Sequence, residues 1–213
     1  MGTGATNVRW ESPFTIEAPD MKLAIAAIAL AVLAGLALGG TFSSLGTARI
    51  RLAVLAVVGL GLQVVPAPGR TVPLLLLYVS FAVLFAFGLV NRRLPGIALI
   101  LLGILLNFTV IAANGGMPVT RSALIASGQQ DTLALLIQDG GAKHHLATAN
   151  DVLMPLADVI PVRGVDQVVS VGDIATYAGV IWLVVASMRR RSRKVERNVR
   201  RAPVNAERVR VGS

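Results

Sequence analysis

The chain has 213 residues, of which 54% are hydrophobic and 15% charged, and its formal net charge is +9 at pH 7. Its mean hydropathy is +0.71, and the apolar residues occur in long runs rather than in amphipathic stripes. This composition lies outside the usual range of soluble domains and is typical of an integral membrane protein. The lack of cysteine excludes a disulfide framework, a thiol nucleophile and a cysteine metal site.

The positive charge is concentrated at the carboxyl terminus. From Arg189 to Ser213 there are ten Arg or Lys residues and two Glu residues, which is a net charge of +8 out of the total of +9. This segment directly follows an apolar run and has no aromatic residue that could stack on bases. We therefore predict a basic tail over residues 189–213 that binds anionic lipid headgroups, and no nucleic-acid partner.

Five apolar runs are candidates for membrane-spanning helices, in chain order about 22–40, 50–65, 72–90, 94–113 and 172–188. A helix needs roughly 20 residues to cross a hydrocarbon core about 30 Å thick, so the second run would need a locally thinner bilayer. We predict an all-α, polytopic membrane helix bundle with five transmembrane helices and a partly helical extracytoplasmic insert at residues 114–171. The membrane domain covers residues 21–188, and residues 1–20 form a disordered extension.

Basic residues in the short loops set the predicted orientation. Arg49 and Arg51 follow the first run, Arg92 and Arg93 follow the third, and the basic tail follows the fifth. With five spans, all three groups lie on one side, which the positive-inside rule makes the cytoplasm, with the amino terminus and the insert outside. The alternative is that "MKLAIAAIALAVLAGLALGG" is a signal peptide, whose cleavage would leave four spans and place the later basic groups outside.

The spans carry signals for close packing and few for transport. Ala27, Ala31, Gly35 and Gly39 recur every four residues in the first span and form a narrow strip of small residues. The strip is predicted to pack within the bundle, or alternatively against a second copy in a homo-oligomer. The span centres lack Asp, Glu, Lys, Arg and His, which argues against a proton-coupled transporter.

Both ends of the insert have residues that stop or start a helix. In "ANGGMPV", Asn114 tolerates a turn, Gly115 or Gly116 can take the left-handed conformation, and Pro118 prevents the helix from resuming. In "SVGD", Ser170 can cap the last helix while Asp173 reaches back as a shortened capping box. The polar residues at these two boundaries thus have a local structural role.

Two short helices are predicted inside the insert. Thr120 caps the first, which Gly128 ends, and Asp131 caps the second, "TLALLIQD", which closes at Gly140 and Gly141. The second helix has an apolar face consisting of Leu133, Leu136 and Ile137. Further on, "DVLMPLADVIPV" contains two prolines and is too short to span the membrane.

The two histidines lie in the middle of the insert. Because His144 and His145 are adjacent, their side chains point in different directions and cannot bind one ion without other ligands. No pair of histidines has metal-ligand spacing, so we predict solvated or cap-forming histidines, with no cofactor and no metal. The alternative is a membrane-embedded enzyme or metal-binding protein that uses His144 with aspartates of the insert.

Several segments in this order resemble one family of bacterial membrane proteins, catalogued as domain of unknown function 5317. They are "GG" after the first span, "NFTVIAANGGMPV", "KHH", "ADVIPV" and "SVGDIATYAGV". The resemblance covers about residues 21–188 and implies a membrane topology and a bacterial plasma membrane location, but no chemistry. By position it points to a candidate outer-cap site of twelve residues: Asn114, Gly115, Gly116, Met117, Pro118, Lys143, His144, Asp158, Pro161, Ser170, Gly172 and Asp173.

The sequence therefore predicts a non-enzymatic structural or partner-binding membrane component that uses its insert, with other membrane proteins or a second copy as partners. A passive conduit for small solutes is a further alternative. In the insert, Lys143 or His144 is predicted to fold back and donate to Asp158 or Asp173. The polar residues would then form either separate helix caps or one shared site.

Overall fold

The structure is a computed structural model that describes residues 22–41 and 50–201. Within these ranges the chain is largely helical and contains seven α-helices. Their bounds are α1 Lys22–Ala37, α2 Ala53–Val64, α3 Thr71–Val90, α4 Ile97–Asn114, α5 Arg121–Ser127, α6 Gln130–Asp139 and α7 Val171–Arg201. The predicted extension over residues 1–20 lies outside the described residues, as do Arg49 and the last twelve residues of the basic tail.

Three helical stretches are long and apolar enough to cross a membrane: Thr71–Val90, Ile97–Asn114 and Val171–Arg189. This identifies the chain as membrane-embedded. The helices α1 and α2 fall in the first two predicted runs and are apolar, but they have only 16 and 12 residues. α2 begins only at Ala53, three residues after the predicted start at residue 50. The reason is that Leu52 has a left-handed backbone conformation with φ of 50°, and such a residue cannot be part of a right-handed helix.

Glycine allows α4 and α7 to pack closely. A Cβ atom on Gly103 would lie 2.3 Å from the carbonyl oxygen of Gly172, and one on Gly179 would lie 2.7 Å from the carbonyl oxygen of Gly96. These distances are too short for any side chain, so the two helix backbones touch along this face. Such close approach gives helices in lipid the van der Waals contact that holds them together.

The strip of small residues in α1 faces α7 of the same chain. Ala27, Ala31 and Gly35 are buried, and a Cβ on Gly35 would lie 2.3 Å from the sulfur of Met188. The prediction for Gly39 is wrong, because α1 ends at Ala37 and Gly39 is an exposed turn residue with φ of 77°. The structure thus places three of the four strip residues against a helix of the bundle.

The insert contains the two predicted helices and also four short β-strands, and the sequence analysis did not predict these strands. β1 (Met117–Val119) pairs in parallel with β2 (His144–Leu146), and β3 (Ile160–Val162) pairs antiparallel with β4 (Gln167–Val169). Asp158 forms a parallel bridge with Val119 of β1. Between β2 and β3, the residues Met154–Leu156 form a 3-10 turn. These pairings connect the end of α4 to the middle and the last part of the insert.

A small apolar core lies under the two helices of the insert. Leu133 and Leu136 of α6 are buried together with Val119 and Leu124. Ile137 was predicted to belong to the same face, but it is 56% exposed. The buried side of α6 is therefore narrower than the predicted apolar face and contains Leu133 and Leu136. The insert therefore has its own core and leaves some apolar side chains on its surface.

The helix boundaries of the insert follow most of the predicted signals. Gly115 closes α4 with φ of 65°, the hydroxyl oxygen of Thr120 accepts from the backbone N–H of Ala123 at 3.4 Å, and Gly128 closes α5. The prediction that Asp131 is a cap residue is wrong, because α6 already begins at Gln130. Asp131 instead lies in the first turn, where its carboxylate is favoured by the helix dipole.

Candidate functional site

A closed ring of hydrogen bonds joins α4 to the start of α7. The amide of Asn107 donates to one carboxylate oxygen of Asp173 at 2.7 Å, and the hydroxyl of Ser170 donates to the amide oxygen of Asn107 at 2.8 Å. The backbone N–H of Ser170 donates to the other oxygen of Asp173, and that of Asp173 donates to the hydroxyl of Ser170, both at 3.0 Å. The predicted capping box is thus present, and Asn107 extends it to a second helix.

Gly172 is needed for this ring because of the space that Asn107 occupies. A Cβ atom on Gly172 would lie 1.9 Å from the amide oxygen of Asn107 and 2.8 Å from the carbonyl oxygen of Gly103. Any side chain at this position would push the start of α7 away from α4. Gly172 therefore sets the distance across which the Asn107, Ser170 and Asp173 side chains meet.

Asp158 is a buried carboxyl group at the centre of the insert. Its backbone N–H donates to the carbonyl of Pro118 at 3.1 Å, and its carbonyl accepts from the N–H of Thr120 at 3.2 Å, so β1 fixes its position. The residue is only 6% exposed. One carboxylate oxygen lies 3.7 Å from Nε2 of His144, and the other, Oδ1, is buried without a hydrogen-bond partner among the described residues.

The surroundings of Asp158 favour its protonated form. Burial raises the pKa of its carboxyl group from 3.8 to about 7, while His144 acts to lower this pKa and the charge of Asp173 acts to raise it. Because the group titrates near neutral pH, it can hold or release a proton under physiological conditions. His144 lies 3.7 Å from Asp158, which is longer than a hydrogen bond, so the predicted donation to this aspartate stays a prediction.

His145 points elsewhere and has its own carboxylate partner. Its Nε2 lies 3.0 Å from a carboxylate oxygen of Asp151, whose other oxygen accepts from the backbone N–H and the hydroxyl of Thr148 at 2.7 and 3.0 Å. Burial acts to raise the pKa of Asp151, but the hydrogen bonds from Thr148 and His145 outweigh it, and the pKa is lowered. This second pair holds the turn after β2 in place.

The described residues contain no group of three or more His, Asp or Glu side chains placed to hold one metal ion. His144 and His145 each face a different aspartate, which follows from their adjacent positions on a strand. The alternative hypothesis was an enzyme or metal site formed by His144 and aspartates of the insert. Asp158 is one insert aspartate that lies near His144.

The other predicted cap residues lie at the end of α4 or on the surface. The amide of Asn114 donates to the carbonyls of Val110 and Val152 at 2.9 and 3.0 Å, and its oxygen accepts from the N–H of Val152 at 2.8 Å. Lys143 donates to the backbone carbonyl of Gln63 at the end of α2. Pro161 is exposed in β3.

The twelve predicted residues thus separate into groups, and their shared function stays a prediction. Gly115, Gly116, Met117 and Pro118 form the end of α4 and the start of β1, next to Lys143. Ser170, Gly172 and Asp173 form the start of α7. His144 and Asp158 lie between these groups. The negative charge of Asp173 acts on Asp158 by raising the pKa of its carboxyl group.

The sequence pattern did not single out Asn107 as a site residue, although Asn107 is the side chain that connects α4 to the capping box. A lone amide within the apolar stretch "ILLNFTV" was the available signal. Gln63 makes a similar bond between α2 and α3, since its amide donates to the hydroxyl of Ser80 at 2.8 Å.

The comparisons with known proteins agree with the resemblance seen in the sequence. The model of a family described as "Family of unknown function (DUF5317)" matches residues 45–185. An "Uncharacterized protein" of Thermotoga maritima is 38% identical over 132 residues, which cover 60% of this chain and 70% of the relative. No solved structure matches the chain. The chain therefore belongs to the DUF5317 family of proteins of unknown function.

Proposed function

We propose that the chain crosses the membrane five times, with α1 and α2 as the two shorter spans beside the three long ones. Two observations support this: α1 packs against α7 and α2 packs against α3, and the outer faces of both helices carry exposed apolar side chains. Leu33 is 64% exposed and Val57 is 70% exposed, and lipid would cover both. The amino terminus and the insert then lie outside a bacterial plasma membrane, and the basic tail lies in the cytoplasm, bound to anionic lipid headgroups.

The insert is the part of the chain with a surface suited to binding, and the proposed function is a non-enzymatic, partner-binding or structural membrane component. The observation that carries this proposal is that the insert is folded against the bundle and yet exposes large apolar side chains. The pairing of β1 and the ring at Asp173 hold the insert to the ends of α4 and α7. Ile125 and Ile137 are 51% and 56% exposed on its two helices.

Exposed apolar side chains that form one contiguous patch mark a contact with another protein or with the membrane interface, and we take Ile125 and Ile137 to belong to one such patch. A partner that covers Ile125 and Ile137 is proposed to be another membrane protein or a second copy of this chain, since the insert lies close to the bilayer. The family membership adds no activity to this proposal, because the family itself is described only as one of unknown function.

The test is site-specific photocrosslinking in living cells. A photoreactive amino acid at Ile137 is expected to give a discrete protein adduct, whereas the same group at Val57, which is 70% exposed on α2, is expected to react with lipid. The substitution Ile137→Ser should weaken the adduct formed from Ile125 without lowering the thermal stability of the protein, since Ile137 has few contacts to lose.

Two results would reject parts of this proposal. If the adducts at Ile137 are no more specific than those at Val57, the insert is not a protein-binding surface. If a reporter fused after Ser213 is active only outside the cytoplasm, the proposed orientation is wrong.

A further inference from the structure

A short segment of the insert, residues 154–158, lies across the end of the helix bundle that joins the insert, and we call it the strap. Its 3-10 turn, Met154–Leu156, contacts both α4 and α7. Ala157 is fully buried in an apolar cluster that also contains Val110 and Ile111 of α4. The strap therefore covers apolar side chains that would otherwise be exposed at this end of α4.

The strap is held on both sides, and the residue that precedes it is strained. Val152 is fixed by two hydrogen bonds with the amide of Asn114, at 2.8 and 3.0 Å, and on the other side β3 is paired with β4. Between Val152 and the strap, Leu153 has a φ of 58°, a left-handed conformation that is unfavourable for this residue type. Leu153 is thus a position where a change of backbone direction would relieve strain.

Asp158 is the residue that joins the strap to β1, and its side chain is poorly compensated there. Its backbone makes the two hydrogen bonds with β1, while its carboxyl group is only 9% exposed. Oδ1 has no hydrogen-bond partner among the described residues, and the other oxygen lies 3.7 Å from His144. A buried carboxylate needs hydrogen bonds or a paired charge in place of its lost hydration, so this site suits a neutral carboxyl group better than a charged one.

The titratable groups around Asp158 do not change this balance. They are His144 from β2 and, from α7, Asp173 and Tyr177, whereas the residues of β1 have no titratable side chain. The negative charge of Asp173 repels an ionised Asp158. The side chain of His144 is 45% exposed, so solvent screens its attraction, and a histidine is ordinarily neutral above about pH 6.5.

We propose that the strap is a lid operated by a proton: it stays closed on α4 and β1 while the carboxyl group of Asp158 is protonated, and it lifts when this proton passes to water. Lifting of the strap hydrates the carboxylate, relieves Leu153 and uncovers the apolar side chains next to Ala157. The pKa of Asp158, raised by burial to about 7, brings this change close to neutral pH. The proposal adds regulation by pH to the insert and does not depend on partner binding.

The test uses the absence of cysteine from the sequence. In Ala157→Cys, at a position that is 0% exposed, reaction of the thiol with a small methanethiosulfonate reagent reports opening of the strap in the purified full chain. The reference is Ala149→Cys on the exposed turn after β2, which corrects for the effect of pH on thiol reactivity. Relative to this reference, the rate for Ala157→Cys should rise roughly 30-fold between pH 5 and pH 7, because the open strap has released a proton that the closed strap retains.

Matched variants distinguish the strap from its surroundings. Ala123→Cys, at a position in α5 that is 2% exposed, should react slowly at both pH values. Combined with Ala157→Cys, Asp158→Asn should abolish the rise, whereas Asp139→Asn, which changes an exposed carboxyl group, should leave it unchanged.

Three results would overturn the proposal. A constant relative rate for Ala157→Cys from pH 5 to pH 7 shows that the strap does not open on loss of a proton. A rise that persists with Asp158→Asn assigns the change to another group. An equal rise for Ala123→Cys shows that the whole insert opens, rather than the strap alone.

Discussion

The stability of the fold should fall as the pH rises through neutrality, because Asp158 must ionise inside the insert. Its pKa is 3.8 when exposed and about 7 when folded, with burial as the main cause. The folded state therefore keeps a proton that the unfolded state has already released. The stabilisation from this proton is complete below the unfolded pKa and is lost as the pH rises toward the folded pKa.

The size of the effect follows from the difference in bound protons. One proton changes the free energy of unfolding by about 1.4 kcal/mol per pH unit, and at pH 7 about half of the folded molecules have lost it. Between pH 5 and pH 7 the free energy of unfolding should thus fall by about 2 kcal/mol. For a chain of this size that corresponds to a decrease in Tm of roughly 4–8 °C.

The assay is thermal unfolding of the detergent-solubilised protein at pH 5, 6, 7 and 8. Asp158→Asn keeps the size of the side chain but removes its titration, so the decrease in Tm should largely disappear. In Asp139→Asn, which changes an exposed carboxyl group, the decrease should remain. His144→Gln should move the decrease to higher pH, since His144 acts to lower the pKa of Asp158.

Two results would refute this reasoning. A wild-type Tm that is constant from pH 5 to pH 7 would show that Asp158 is solvated or paired more strongly than its 3.7 Å distance from His144 allows. An unchanged pH dependence in Asp158→Asn would show that another group causes it.

Three further predictions concern packing and the insert. Gly35→Leu should lower stability by about 2 kcal/mol or more, because its side chain would collide with α7, whereas Leu36→Ala on the 38% exposed face of α1 should cost less than 1 kcal/mol in thermal unfolding. In a double-mutant cycle, Asn114→Ala and Asp173→Ala should be additive within about 0.5 kcal/mol, since their hydrogen bonds go to different partners; larger coupling would indicate one network. Limited proteolysis in detergent should spare most of residues 120–165, and cleavage throughout this range would contradict an ordered insert.

The features of the fold that depend on local sequence could be predicted. A long run of apolar residues favours a helix in the membrane, so the positions of the three long apolar helices and of the shorter α1 and α2 could be read from the apolar runs. The stop at Gly115 and the cap at Ser170 also depend only on residues within a few positions, and the structure has both. Helix ends were less exact, as Gly39 and Asp131 show, because they depend on neighbours as well as on the residue itself.

Tertiary structure decided what the polar residues of the insert do. β1 and β2 have three residues each and are separated by a 24-residue stretch, so neither has a local pattern strong enough to predict a strand. The pairing of these strands brings His144 to Asp158, and the contact between α4 and α7 brings Asn107 to Asp173. Asp158 is buried because its own segment, β1 and β2 come together only in the folded chain, and this burial raises the pKa of Asp158. The sequence by itself determined which segments form apolar helices and where most of these helices stop, since those depend on the apolar runs and on local backbone geometry. Only the folded structure decided which polar groups share a hydrogen bond, because such bonds require atoms from distant segments to come within about 3 Å of one another.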